Sequence, residues 1–112
     1  MLPRAHRLVK DKDIERLFAK GRRVSCSFCG VRVLPNKLAE TRVAVIAPGK
    51  LSGQAVIRNR AKRRAREALR PLLPLLKSGH DMALVLFPAS LTVPLPEMTR
   101  TLRSLFEKTR LL

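Results

Sequence analysis

The chain has 112 residues, with 24 Lys or Arg against 8 Asp or Glu, for a formal net charge of +16. That length supports one domain with a modest core and excludes a multidomain assembly. A charge so far from zero exceeds what solubility requires and points to a polyanionic partner.

The N-terminus, MLPRAHRLVKDKD, has no apolar segment of the kind a secretory leader carries. No apolar run in the chain is long enough to span a membrane. Together these predict a cytoplasmic protein. Residues 1–10 carry Arg4, His6, Arg7 and Lys10 and predict an irregular basic arm. Residues 11–20 predict a short helix. Asp11, Asp13 and Glu15 put negative charge at its start, where the macrodipole favours it. Ile14, Leu17 and Phe18 form an i, i+3, i+4 face, on which Phe18 reads as core, and Gly21 is a good terminator.

Residues 23–34, RVSCSFCGVRVL, predict a strand in which Gly30 marks a bulge or a close approach. Cys26 and Cys29 form a CxxC, a spacing used in redox and zinc sites. Zinc needs further ligands, and His6 and His80 lack ligand spacing. Redox pairs open helices, whereas these cysteines lie in a strand, where residues i and i+3 face opposite ways. The expectation is two structural thiols that do not meet. PNKLAET supplies turn formers before a second strand, residues 42–47, and the two strands predict an antiparallel hairpin. The stretch from Pro48 to Gly53 is a loop.

Residues 53–70, GQAVIRNRAKRRAREALR, dominate the chain. From Arg58 to Arg70 there are seven Lys or Arg against a single acid, Glu67. On a wheel of about 100° per residue, Ile57, Ala61, Ala65, Ala68, Leu69 and Leu72 share one arc. Asn59, Lys62, Arg63, Arg66 and Arg70 share the opposite arc, and Arg58, Arg60 and Arg64 lie at its flanks. Arg58–Lys62, Arg60–Arg64, Lys62–Arg66 and Arg66–Arg70 are same-sign i,i+4 pairs, each of which destabilises an isolated helix. An external polyanion offsets that repulsion, and the planar fork of Arg suits phosphate. A merely solvated face would interleave Glu with Lys. An anionic membrane is a poor partner, because an arc made mostly of Ala buries little in lipid. Pro71 and Pro74 stop the helix.

Residues 78–81 predict a turn, and residues 82–87, MALVLF, predict a central strand buried on both faces. Met98, Leu102, Leu105 and Phe106 have helical spacing. The order is therefore helix, strand, strand, basic helix, strand, helix. This is a small two-layer α+β sandwich, with a mixed sheet of about four strands and a basic crossover helix. For parallel neighbours the general rule makes that crossover right-handed.

The eight carboxylates are scattered without metal spacing, neither histidine has a nucleophile partner, and there is no phosphate-binding glycine loop. An enzyme built from these side chains alone is not expected. Without Tyr or Trp, any base stacking rests on Phe18, Phe28, Phe87 and Phe106.

Residues 53–67 follow the pattern GxAVxRNRxKRxxRE, which resembles the signature of the bacterial ribonuclease P protein family. Further matches are Arg7-Leu8, Phe18, Gly21, Arg42-Val43, Asp81 and the closing Leu102, Leu105 and Phe106. The resemblance implies a small protein that binds a catalytic RNA and helps it remove the 5′ leader of precursor tRNA. The RNA supplies the active site and Mg²⁺ supplies the chemistry, so no catalytic residue and no cofactor is expected on the protein. It also implies a left-handed crossover, as in the second domain of a small-subunit ribosomal protein. Catalytic-RNA contacts would then be Arg58, Asn59, Arg60, Lys62, Arg63, Arg64, Arg66 and Arg70. A leader cleft would be lined by Ile14, Phe18, Arg32, Lys50 and Phe87. This chain departs from the family pattern in three places: Ile14 stands where a Phe is usual, one residue is inserted within Gly49 to Gly53, and Phe87 lies near where an Arg is usual. The rival readings are a ribosomal protein or RNA chaperone with no enzymatic role, and a DNA-binding protein. The latter is weak because a helix crowded with Arg leaves few residues to read base edges.

Overall fold

A computed structural model describes residues 7–112. Residues 1–6 of the expected arm lie outside that range. Helix α1 (Asp11–Lys20) has the boundaries its periodicity predicts, with Asp11 and Asp13 in its first turn. Leu17 is its buried residue. Gly21 ends it with a backbone N–H that donates to the Leu17 carbonyl at 2.7 Å. A β-carbon at Gly21 would overlap that same oxygen, so only glycine lets the chain pass directly from helix to strand.

Residues 23–34 are two strands rather than one. β1 (Arg22–Ser25) and β2 (Cys29–Pro35) are antiparallel, with Val24 opposite Val31. The tight turn between them is closed by the Cys26 N–H donating to the Cys29 carbonyl at 2.9 Å. This overturns the expectation that the thiols face apart. A turn brings i and i+3 together where a strand would separate them, and the two Sγ atoms lie 3.5 Å apart. The Cys29 thiol, hydrogen-bonded to Cys26, lowers Cys26 to about 6. The same hydrogen bond, together with burial, pushes Cys29 up.

The expected hairpin between β2 and β3 (Arg42–Ile46) also does not form. The sheet order is β1-β2-β4-β3, so β4 (His80–Leu86) separates them. β2 pairs antiparallel with β4, setting Val31 opposite Leu84 and Val33 opposite Met82. β3 pairs parallel with β4, setting Val43 opposite Met82. The physical reason is apolar load. β4 is the most continuously hydrophobic strand, and a central position covers both its edges and both its faces. It starts at His80, so His80 and Asp81, expected in a turn, belong to the strand. The parallel β3–β4 pair requires a long crossover, and α2 (Ala55–Leu69) provides it.

The core divides by sheet face. On one face Val31, Val33, Val43, Met82, Leu84 and Leu86 pack against α2 and against α3 (Leu95–Lys108). Ala61, Ala65, Ala68 and Leu69 of α2 are fully buried there, as are Met98, Leu102 and Phe106 of α3. The small alanines let α2 lie close to its neighbours, and the predicted apolar arc is the one that packs. Pro71 and Pro74 fall in a 3₁₀ turn, Arg70–Leu75, that ends the helix. On the other face a smaller cluster of Leu8, Leu17, Ala44 and Ala83 sits under α1. Arg7 bridges Val43, and the Leu8 N–H donates to the Val43 carbonyl at 3.0 Å. Among the described residues no helix is long and apolar enough to cross a membrane.

Candidate nucleic-acid interface

The packed arc of α2 fixes which charges face outward. Asn59, Arg60 and Arg63 are exposed, and Lys62 and Arg66 are half-buried beside them. Arg70 pairs with Glu67 at 3.2 Å, near the end of the helix. No acidic residue lies in the first turn of α2 and no side chain caps it. The positive end of its dipole therefore adds to the ridge rather than being neutralised.

The two flanking arginines behave differently. Arg58 Nη1 donates to the Ser52 carbonyl at 2.8 Å. Arg64 Nε donates to the Ser90 carbonyl at 3.2 Å, and its Nη2 reaches the Val93 carbonyl and, at 3.7 Å, Met98 Sδ. Arg64 is thus engaged inside the molecule, whereas the sequence grouped it with the outward cations.

Behind the ridge, at the carboxyl ends of β3 and β4, lies a cleft of about 370 Å³. Four of the five residues expected to line it do so: Phe18, Arg32, Lys50 and Phe87. Phe18 is 37% exposed and therefore not core, which corrects the simpler reading of its position. Leu17 occupies the buried position of α1, and the next residue, turned by one helical step, is left at the rim. Arg32 fixes Phe18 from the sheet. Its Cζ lies 5.7 Å from the ring centroid, and its Nη1 donates to the Phe18 carbonyl at 3.3 Å. Across the cleft the Phe87 ring lies on β2 where Gly30 has no side chain; a β-carbon there would come within 3.4 Å of Phe87 Cζ. Gly30 marks a close approach, and β2 pairs through it without a bulge. The cleft thus has two aromatic walls and the cations Arg23, Arg32 and Lys50 at its mouth, a combination suited to a single strand of bases and phosphates.

Ile14 does not join the other four. It packs with Leu8, Leu17 and Ala44 and lines a separate groove with Val43, Ile46 and Arg66. On a helix, residues 14 and 18 share a face, but here Phe18 lines the cleft and Ile14 the other groove. Arg23 was missed from the cleft because the strand reading gave no reason to choose between Arg22 and Arg23. The β1–β2 register settles it by placing Arg23 opposite Arg32.

A buried network was also missed. Asp81 is 1% exposed and receives Arg42 Nε at 2.9 Å, Arg42 Nη2 at 2.8 Å and Asn36 Nδ2 at 2.8 Å. Arg42 reaches on to Asp13 in α1 at 3.4 Å. The Asp81 carboxylate beside it raises the guanidinium above its usual range. The network joins β3, β4 and the start of α1, and so sets how α1 sits over the sheet. The signal available in the sequence was a lone acid directly before an apolar strand, with a basic residue at the same place before its parallel neighbour.

The family described as Ribonuclease P matches residues 2–110. The ribonuclease P protein component of Symbiobacterium thermophilum is 35% identical over 111 residues, covering 99% of this chain and 96% of its own length. Among solved structures, a Staphylococcus aureus RNase P protein mutant with defective mRNA degradation activity superposes with a TM-score of 0.83 at 23% identity. It covers 96% of this chain and 91% of its own. The RNase P protein from Thermotoga maritima has a TM-score of 0.80 at 22% identity, covering 91% and 96%. These structures share the four-stranded mixed sheet with its three helices, and the family match extends along nearly the whole chain. Asn59, Arg60 and Arg63 of the ordered basic motif lie on the outward face of the crossover helix, and the chain belongs to the bacterial ribonuclease P protein family.

Proposed function

We propose that the outward cations of α2 hold the catalytic RNA of ribonuclease P, while the cleft behind them holds the 5′ leader of precursor tRNA. The observation that carries this reading is the separation of the two surfaces. Asn59, Arg60 and Arg63 project from one side of a packed helix, and Phe18 and Phe87 line a cleft on the other side of the sheet together with Arg23, Arg32 and Lys50. The first surface suits a folded RNA met through its phosphates, and the second suits an extended strand with stacking bases. The family membership sets aside the ribosomal-protein and chaperone readings. As a ribonuclease P protein component the chain is part of an endoribonuclease whose chemistry resides in RNA. On this reading Mg²⁺ enters through that RNA, as the family resemblance implies. The cytoplasm, where precursor tRNA is made in bacteria, is the matching place of work.

The test is reconstitution with a bacterial ribonuclease P RNA and precursor tRNA at low Mg²⁺. Adding the protein should restore leader removal, and protein freed of RNA should cleave nothing. With about 5–8 phosphates neutralised, affinity for the RNA should fall about 10³-fold or more between roughly 50 and 200 mM salt. Changing Lys62, Arg63 and Arg66 together to Gln should reduce the salt slope by about one unit for each phosphate left without its cation. A triple variant with full affinity and full slope would remove the ridge from the RNA interface.

A further inference from the structure

Arg64 stands apart from the other cations of α2. The motif pattern GxAVxRNRxKRxxRE leaves its position open, whereas Lys62 and Arg63 beside it are specified. Its guanidinium points away from the ridge and meets the Ser90 and Val93 carbonyls and Met98 Sδ. Ser90 is fully buried, and a buried carbonyl needs a donor. Residues 90 and 93 close the 3₁₀ turn Pro88–Leu91 and lead into α3. That turn begins where the cleft wall ends. The Ser90 N–H donates to the Phe87 carbonyl at 2.9 Å, and Phe87 and Pro88 line the cleft. The opposite lip has a matching tie, because Arg58 holds the Ser52 carbonyl of the loop that brings Pro48, Lys50 and Leu51 to the cleft.

We infer that Arg64 is a positioning residue: it braces the RNA-binding helix against the Phe87 lip, so that the helix which docks on the catalytic RNA also sets the cleft that receives the leader. Arg64 therefore contributes to substrate selection without touching RNA. The leader half of this inference rests on the function proposed above, and the brace itself rests only on the internal contacts of Arg64.

Two measurements separate these parts. In the first, the wild-type protein is treated with an arginine-selective dicarbonyl, free and bound to ribonuclease P RNA, and modified residues are read by mass spectrometry. Arg60 and Arg63 should react in the free protein and be protected by the RNA, while Arg64 should stay unreactive in both states. A reactive Arg64 that the RNA protects would overturn the brace, and no variant has to fold for this result. In the second, Arg64→Gln and Arg64→Lys are compared with Arg63→Gln and Phe18→Ala in the reconstituted holoenzyme, using precursor tRNA and leaderless tRNA. Arg64→Gln should weaken precursor tRNA binding about tenfold, the equivalent of one buried hydrogen bond removed. Leaderless tRNA affinity and the salt slope for the catalytic RNA should not change. Arg64→Lys, which keeps one donor, should recover part of the affinity. Arg63→Gln should instead lower the slope by about one. A one-unit drop in slope for Arg64→Gln would make Arg64 a phosphate contact and overturn the inference. If Phe18→Ala were leader-sensitive and Arg64→Gln leader-indifferent, the link between helix and cleft would fail alone. If Phe18→Ala were itself leader-indifferent, the cleft reading would fail and the link with it.

Discussion

The two faces of the sheet are covered very differently. One is closed by α2 and α3 over a continuous set of fully buried side chains, among them Leu69, Leu84, Met98, Leu102 and Phe106. The other is covered by one short helix that buries Leu17 alone and leaves Phe18 at the edge of an open cleft. The same strands supply both faces, since alternate residues of β2 and β4 point to opposite sides. Val31 and Leu84 go into the closed core, while Arg32 and Val85 line the cleft, as does Phe87 just beyond β4. Stability therefore resides mainly on one side of the sheet, with the proposed leader cleft on the other, and a substitution can disturb one with little effect on the other.

The sharpest test of this division pairs two phenylalanines. Phe106→Ala removes a fully buried ring from the closed face and should cost about 3–5 kcal/mol of stability in a denaturant melt. Phe18→Ala removes a ring already 37% exposed. Its cost should appear instead as about 1–3 kcal/mol in leader affinity, with the melt nearly unchanged. If Phe18→Ala unfolded the protein as readily as Phe106→Ala, α1 would be part of a single core and the division would be wrong.

A second test addresses the link between the faces. Asp81→Asn leaves Arg42 with no buried anion and should cost about 3 kcal/mol, the scale for breaking a buried pair. Because Arg42 also holds Asp13 of α1, the damage should extend to the cleft. Amide exchange in α1 should accelerate before exchange in α3 does. Uniform acceleration across both helices would mean that the network stabilises the whole fold without governing how α1 is seated.

The smallest effect concerns Cys26. With its ordinary ionisation lowered to about 6 by the Cys29 thiol, alkylation of Cys26 should rise with pH about a midpoint near 6. An unperturbed cysteine would have its midpoint near about 8.5. Buried Cys29 should stay unmodified throughout. A midpoint for Cys26 in the ordinary thiol range would show that the 3.5 Å contact does not persist in solution.

What the sequence disclosed, and what it hid, follows the same physical line. Helix α1, the ridge of α2 and the central place of β4 were legible because each rests on local pattern: a capped apolar period, a charged arc opposite an alanine arc, an unbroken apolar run. The break between β1 and β2 was hidden because Ser27, a weaker turn former than Gly, Pro or Asn, is the sole turn residue among Cys26, Ser27 and Phe28. The pairing of β3 with β4 was hidden because neighbours in a sheet need not be neighbours in the chain. The inward turn of Arg64 was hidden for a similar reason. Its partners lie 26 to 34 positions further on, and no helical wheel contains them. All five cleft expectations, Ile14 included, came from family resemblance rather than from periodicity, which had assigned Phe18 to the core.

The position of β4 also orders events in time. β3 has no strand partner except β4 among the described residues, and the two are separated by the whole of α2 and its following turn. On a ribosome adding about 5–20 residues per second, β3 waits for several seconds before its neighbour is made. During that interval β2, paired with β1 along one edge, offers β3 its nearest free edge, and that pairing is the one the finished sheet excludes. In the finished sheet β4 lies between them. The cleft takes walls from α1, β2, the loop after β3 and the end of β4, so it is among the last parts of the molecule to acquire its shape.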